Sequence, residues 1–227
     1  MPTFSIIIPA YNEEKYIRKT LHSIKNQINQ DYEVIVVANS CTDKTEEIVK
    51  KRKNVHLLSL PKPNVSVARN AGALNANGEI LIFLDADTQL AEDALQKIKT
   101  EFTEQSSVAT TKALPDSDKT KFKIALGCKN LYLSSGLYQG CSGILICRKE
   151  DFDEVGKYDP EITVREHRKL ILKLLEKGKY KCIDTYVINS MRRFKQWGLK
   201  KAAFFWIKQW LEDKKGNLSK SEYEKVR

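Results

Sequence analysis

Apolar residues along this chain recur in two periods that take turns. Residues 4–8, 33–38 (EVIVVA), 55–60 and 80–84 (ILIFL) are short aliphatic runs of the kind that form buried strands. Between them, Tyr16, Ile17, Leu21, Ile24 and Ile28 fall at helical spacing, and residues 46–53 and 65–77 read as two further helices. Pro9 is expected to stop the first strand, Pro61 and Pro63 to break the chain, and Gly78 to end the third helix. Strands this apolar cannot face water on either side. The pattern therefore predicts a mainly parallel central sheet covered by helices on both faces.

Beyond Thr88 the regularity loosens. Residues 91–102 and 122–133 read as helices and 108–113 as a strand, and 140–147 (GCSGILIC) as a glycine-bearing loop entering a strand. Residues 163–176 read as a helix with Leu170, Leu174 and Leu175 on one face and Gly178 at its end, and 180–189 as one or two edge strands. The reading is one α/β domain over residues 1–190, followed by a basic, aromatic-rich helical tail over 191–227.

Two carboxylates stand immediately past the run at 80–84. Asp85 and Asp87, separated by the small Ala86, lie where open α/β sheets bind ligands, outside the carboxyl ends of their strands. Side chains so spaced can turn toward one Mg or Mn ion, or can simply make a solvated turn capping a helix that begins near Leu90. The 39 basic and 29 acidic residues give a net charge of +10, which suggests an anionic partner such as a nucleotide, a nucleic acid or a membrane surface. The five cysteines are spread out without a C-x-x-C pair, as expected of free thiols in a reducing compartment. The amino terminus lacks a basic stretch followed by an apolar core, so no secretory signal is expected, and the uncharged run 130–147 is too polar and glycine-rich to span a bilayer.

Several separated motifs agree in order and spacing. SIIIPAYNEE (5–14) and NVSVARNAGALNANGEILIFLDADT (64–88), with the loop at 140–143, resemble the inverting family-2 glycosyltransferases of the GT-A fold, the nucleotide-diphospho-sugar transferase architecture. The resemblance runs from about residue 3 to about residue 198. It implies a nucleoside lying across Pro9, Ala10, Tyr11 and Glu13, with its base against Tyr11. Asn39 stands where the family usually has an aspartate that accepts a hydrogen bond from that base, which leaves UDP- and GDP-linked donors both open. Asp43 matches a second acidic position in the same turn, though either residue could serve only to cap the next helix. Arg69 would offer its planar donors to the diphosphate, Asp85, Ala86 and Asp87 would form the metal and donor motif, and Gly140, Cys141, Ser142 and Gly143 would build the acceptor side. Cys141 reads as a small buried thiol rather than a nucleophile, because inversion needs no covalent intermediate. Where the family has a Glu-Asp pair opening the helix after the acceptor loop, this chain has Glu166 and His167. Three readings follow: His167 is the base, Glu166 is the base, or the acceptor site is reorganised so that neither serves.

In the tail, 190–198 (SMRRFKQWG) resembles a stretch that closes over the donor, where Arg192 or Arg193 would meet the diphosphate, unless both are solvated or meet acidic lipid. Leu199, Ala203, Trp206, Ile207 and Trp210 then fall on one helical face, opposite Lys201, Lys208 and Glu212, with Phe205 out of pattern. Such a helix can lie in a membrane interface or pack on protein. The expectation is a cytoplasmic, metal-dependent glycosyltransferase, peripheral on the membrane face, with a sugar or lipid-linked acceptor and no nucleic acid partner. The rivals are a nucleotidyltransferase, a non-catalytic sugar-nucleotide binder and a basic nucleic-acid-binding module.

Overall fold

In the computed structural model, residues 1–162 and 164–214 are described, with the backbone alone at 199, 200, 203, 206, 207 and 210–214. The first four apolar runs form β1 (Phe4–Ala10), β2 (Tyr32–Asn39), β3 (His56–Leu60) and β4 (Ile80–Leu84), mutually parallel in the spatial order β3-β2-β1-β4. Helices α1 (Ile17–Lys25), α2 (Thr45–Lys50) and α3 (Val65–Leu74) connect them. Successive side chains of a strand face opposite ways, and here both faces are covered. Phe4, Ile6 and Ile8 enter a core shared with Leu21 and Ile24 of α1, while Ile7 enters a second core shared with Ala68 and Ala73 of α3. That double burial is why β1, β2 and β4 read as apolar runs, whereas β3, at the sheet edge, is only partly buried.

Pro9 does not end β1. It lies beyond Ile7, the last residue paired to β4, and pairs only with Val37 of β2, so the missing N–H costs no bond on the β4 side. Gly78 does not end α3 either, since the helix stops at Leu74 with Asn75 as its cap. Gly78 lets the chain pass tightly over β1, where a Cβ would lie 2.7 Å from the Phe4 carbonyl carbon and 2.8 Å from the Ser5 nitrogen.

The second half contributes β5 (Thr88–Leu90), α4 (Ala94–Glu101), β6 (Ser106–Pro115), α5 (Thr120–Ser134), β7 (Ile144–Arg148), α6 (Lys149–Glu154), α7 (Glu166–Leu174), β8 (Lys179–Asn189) and α8 (Arg192–Lys214). A left-handed Gly198 breaks α8. The complete sheet runs β3-β2-β1-β4-β7-β6-β8-β5. It is mixed: among the described residues six of the eight strands run the same way, while β7 is antiparallel to both β4 and β6, and β5 is antiparallel to β8. Nor is β8 an edge strand, because it lies between β6 and the short β5. The residues after Asp87 extend as β5 before α4 begins at Ala94, and α7 begins at Glu166, later than the apolar periodicity suggests. Thr163 lies outside the described residues.

The reversal at β7 matters for the site. Ile144 opens β7 opposite Leu84, which closes β4, so the loop before β7 meets the acidic turn after β4. A parallel strand would have sent that loop to the far end of the sheet. All five cysteines are free thiols, and among the described residues no helix is long and apolar enough to cross a membrane. The tail is helical in its backbone through Lys214, but the side chains of Leu199, Ala203, Trp206, Ile207 and Trp210 lie outside the described set, as do residues 215–227.

Two glycine substitutions separate tight packing from helical entropy. Gly78→Ala should destabilise the protein by about 2 to 3 kcal/mol through backbone overlap. Gly127→Ala, in the open interior of α5 with nothing near its Cβ direction, should stabilise it by roughly 0.5 to 1 kcal/mol. Urea unfolding of the two variants checks both signs.

Candidate active site

Two loops at the ends of β1 and β2 are stitched into one unit. Asn12, in a left-handed conformation, accepts from the Thr42 amide at 2.7 Å and donates its own side-chain amide to the Thr42 hydroxyl at 3.1 Å. The Glu13 amide donates to Thr45 Oγ1 at 2.7 Å, and the Glu14 amide to Asp43 Oδ2 at 3.0 Å. Asp43 also accepts from the Thr45 amide at 2.9 Å. Burial would raise the Asp43 carboxyl, but the Thr45 hydroxyl and these amides hold it below its ordinary value. Asp43 thus braces the two loops. Pro9, Ala10 and Tyr11 lead into this unit, and Asn39 at its back accepts from the Asn64 amide at 2.8 Å, joining the end of β2 to the start of α3. One lone pair of the Asn39 carbonyl remains for a ligand.

Next to these loops the carboxylates converge. Arg69, on α3, is buried rather than a surface ion pair. It donates to Glu166 Oε1 at 2.6 Å and to Asp85 Oδ1 at 3.0 Å, and its guanidinium stands over the Tyr158 ring at 5.4 Å. Both of its arms are therefore taken by protein carboxylates. Arg192, at the start of α8, makes a two-pronged contact with Glu13 at 2.6 Å for each bond, lies 3.1 Å from Asp87 Oδ2, and stacks 4.6 Å from the centre of the Tyr16 ring. Burial pushes the Asp87 carboxyl up to about 7; the Asp85 and Glu13 charges add to that, and Arg192 opposes it. Arg193 instead lies over the Trp197 ring at 5.4 Å. Ala86 is buried between the aspartates, with its carbonyl taken by the Thr20 hydroxyl at 2.8 Å.

Among the described residues no cluster of three or more His, Cys, Asp or Glu side chains forms a complete metal cage. Asp85 and Asp87 do fit a Mg or Mn ion of the kind that completes its shell with substrate phosphate and water. Four carboxylates (Glu13, Asp85, Asp87 and Glu166) face two guanidiniums here, Arg69 and Arg192.

The loop before β7 is held by every one of its carbonyls. Gln139 O accepts from Arg168 at 2.8 Å, Gly140 O from the Tyr180 hydroxyl at 2.7 Å, Cys141 O from Lys129 Nζ at 3.0 Å, Ser142 O from Asn189 at 3.1 Å, and Gly143 O from the Asp85 amide at 2.9 Å. Gly143 is left-handed, and a Cβ there would meet Thr88 Oγ1 at 2.7 Å. Burial raises the Cys141 thiol to about 12 despite Lys129 nearby, so it is no nucleophile.

Glu166 and His167 open α7 beside this loop, after a left-handed Arg165. Glu166 Oε2 is buried without a partner, and burial raises the carboxyl while Arg69 opposes the shift. The His167 ring shares a hydrogen bond with the Tyr158 hydroxyl at 2.8 Å through Nδ1 and leaves Nε2 3.8 Å from Glu166. Burial, and then Arg69, hold His167 neutral well below the ordinary histidine range. Tyr158, Lys129, Arg168 and Tyr16 are not visible as site residues in the sequence. No local motif marks them, and each acts only through partners brought in by the fold.

The chain is similar in sequence and in fold to known proteins. The family described as Glycosyl transferase family 2 matches residues 5–136. The chain is 29% identical over 223 residues, 90% of its own length and 86% of the relative's, to TuaG of Bacillus subtilis, a glycosyltransferase assigned to teichuronic acid biosynthesis. It is 35% identical over 103 residues to the poly(ribitol-phosphate) beta-N-acetylglucosaminyltransferase TarS of Staphylococcus aureus, covering 42% of this chain but 18% of TarS. Among solved structures, TarS 1-349 in complex with UDP superposes with a TM-score of 0.66 at 21% identity over 86% of this chain and 62% of that one. The mannosyltransferase PcManGT of Pyrobaculum calidifontis, in complex with GDP-Man and Mn2+, gives 0.68 at 18% identity over 83% and 56%. At these identities the superpositions bear on the fold.

The neutral, buried His167 makes a pH prediction. The unfolded chain takes up a proton near pH 6.5 and the native state does not, so stability rises with pH through that range and is lost as pH falls below 6.5. Asp87 acts in the opposite direction between its unfolded value of 3.8 and about 7, so the histidine part is read by difference. Between pH 7 and 5 the wild type should lose more stability than His167→Asn. Parallel urea-unfolding curves for the two proteins across that range would mean that the native imidazole titrates normally.

Proposed function

The chain belongs to glycosyl transferase family 2, and on that premise we propose that it moves one sugar from a nucleotide-sugar to an acceptor hydroxyl with inversion, assisted by a divalent cation. The observation that supports this most is the convergence of Asp85, Asp87, Glu13 and Arg192 at the carboxyl ends of β1 and β4, directly against the braced loop 139–143. The nucleoside lies across Pro9, Ala10 and Tyr11 with its base toward Asn39 and the Asp43-braced turn. Its diphosphate reaches the Asp-x-Asp turn, where Arg192 and Arg193 are within the same strap of chain. Solved structures of similar fold hold UDP, UDP-GlcNAc or GDP-Man, which supports a nucleotide-sugar donor and keeps both bases open.

Asp85 and Asp87 would hold Mg or Mn, and that ion would supply positive charge to the departing diphosphate. The acceptor lies over Gly140, Cys141 and Ser142. Its hydroxyl proton goes to Glu166, whose Oε2 has no other partner and whose carboxyl is made more basic by burial. Arg69 fixes the other oxygen and so aims the free one. His167 is the weaker base, because its environment lowers its proton affinity and Tyr158 engages one ring nitrogen; it holds α7 against the Phe83–Tyr158 aromatic cluster. A nucleotidyltransferase would release pyrophosphate, so product analysis separates that rival.

The basic segment after Arg192 supports a peripheral contact with an anionic membrane and, through it, a lipid-linked acceptor. Sedimentation with anionic liposomes should be lost on deleting residues 199–227; retention of full binding would place the contact elsewhere.

UDP- or GDP-sugars should raise the melting temperature in a manganese-dependent way, and EDTA should abolish transfer. Glu166→Gln should lower kcat by about 10² to 10⁴-fold with donor affinity intact, whereas His167→Asn should lower it less than about tenfold. The reverse ranking would make His167 the base, and absence of any metal-dependent donor binding would sink the transferase reading.

A further inference from the structure

Two of the five donors that hold the loop 139–143 are cations, and their charge is not needed for holding it. Tyr180 and Asn189 clamp Gly140 and Ser142 through neutral groups at 2.7 and 3.1 Å. Lys129 and Arg168 make the same kind of bond, to carbonyls of the same loop, at 3.0 and 2.8 Å. A half-buried ammonium whose partner is a carbonyl is an expensive way to fix a backbone, since burial penalises the charged form. Among the described residues neither cation meets a carboxylate within ion-pair distance. Asp85 is near enough to favour the charge on Lys129, but its carboxylate bonds Arg69.

We propose that Lys129 and Arg168 form the anion-binding part of the acceptor site, taking a phosphate or carboxylate group carried by the acceptor. The carbonyls they clamp are two residues apart, at most about 7 Å along the chain, so both cations flank one short stretch of backbone. Each spends one hydrogen on the loop and keeps others. Lys129 retains two N–H groups, and Arg168 retains the rest of a planar fork suited to a phosphate or carboxylate oxygen pair. The two come from different helices, α5 and α7, and α7 also carries Glu166. An anion seated there would fix the acceptor next to the base. The proposed donor diphosphate has its own cation in Arg192, which lies 3.1 Å from Asp87. This inference rests on the assignment of loop 139–143 to the acceptor.

The test is calorimetric titration of the full chain, loaded with UDP and Mn2+ so that the diphosphate site is filled, with glycerol 1-phosphate and glucuronate, and with glycerol and glucose as neutral controls. At least one anion should bind saturably while the controls do not. Lys129→Met and Arg168→Met should each weaken that binding by at least about tenfold with UDP affinity within about twofold, and Lys129→Arg should restore most of it. Displacement by phosphatidate vesicles would put the phosphate on a lipid; displacement by the soluble anion alone would put it on a sugar or polyol. No saturable anion binding, or Met variants that bind like the wild type, overturns the proposal. The donor reading fails separately, by absence of UDP binding in the loading step, and the same anion criterion is then applied to the unloaded protein.

Discussion

Arg69 carries a full charge into the interior of the domain, and the surrounding arrangement keeps that charge paired. Burial works against the guanidinium, but Glu166 and Asp85 hold its proton affinity above the ordinary arginine value. The three residues come from α3, from the start of α7 and from the turn after β4, so one buried contact sets the relative positions of the Asp-x-Asp turn and the proposed base. Removing one member of a buried pair leaves the other charge uncompensated, at a cost of about 3 to 5 kcal/mol. The Tyr158 ring, wedged between Phe83, Phe152 and His167, shields the guanidinium from one side and supplies the hydroxyl that engages His167. Chemistry and stability therefore share the same residues here, and the site gains rigidity in return for a demanding core.

The second constraint is the direction of β7. Because it runs against β4, the loop leading into it sits beside the Asp-x-Asp turn, and the Gly143 carbonyl bonds directly to the Asp85 amide. Two left-handed residues, Gly143 and Arg165, stand one just before β7 and one just before α7. The loop between Gln139 and Gly143 has no free carbonyl, so it is a rigid wall whose shape is set by α5, α7 and β8.

Local patterning makes the first half of the chain legible. Runs such as Ile80–Leu84 are buried on both faces, and the intervening helices repeat at the expected spacing, so β1 to β4 and α1 to α3 follow directly from periodicity. Asp85 and Asp87 are legible for the same reason, as polar residues stranded at the end of an apolar strand. The second half is less so. β5 is three residues long and takes its identity from pairing with β8, and α6 (KEDFDE) buries only Phe152, too little for a periodic signal. Strand direction stays hidden because a run like ILIC carries no mark of whether its neighbours run with it or against it. Resemblance places Arg192 near the donor. Its two-pronged contact with Glu13, 179 positions earlier, is a property of the folded sheet alone. Lys129 sits in an ordinary helical stretch, and only its bond to Cys141 sets it apart from the exposed lysines of α5.

The charges around the Asp-x-Asp turn explain why one strap of chain should fold back over it. Glu13, Asp85, Asp87 and Glu166 bring four carboxylates together, His167 stays neutral, and Arg69 is spent on Glu166 and Asp85. Without a further cation, Asp87 and Glu13 would face each other between the loops after β1 and β4. Arg192 fills that place from the start of α8, yet Asp87 remains hard to ionise, with its carboxyl pushed up to about 7. Burial is the main cause of that shift, the Asp85 and Glu13 charges add to it, and a nucleoside diphosphate would bring further negative charge. A doubly charged ion held by Asp85 and Asp87 would supply positive charge at that turn, while Arg192 keeps its bond to Glu13. The physical case for a divalent cation therefore includes Glu13, whose charge bears on Asp87 alongside that of Asp85.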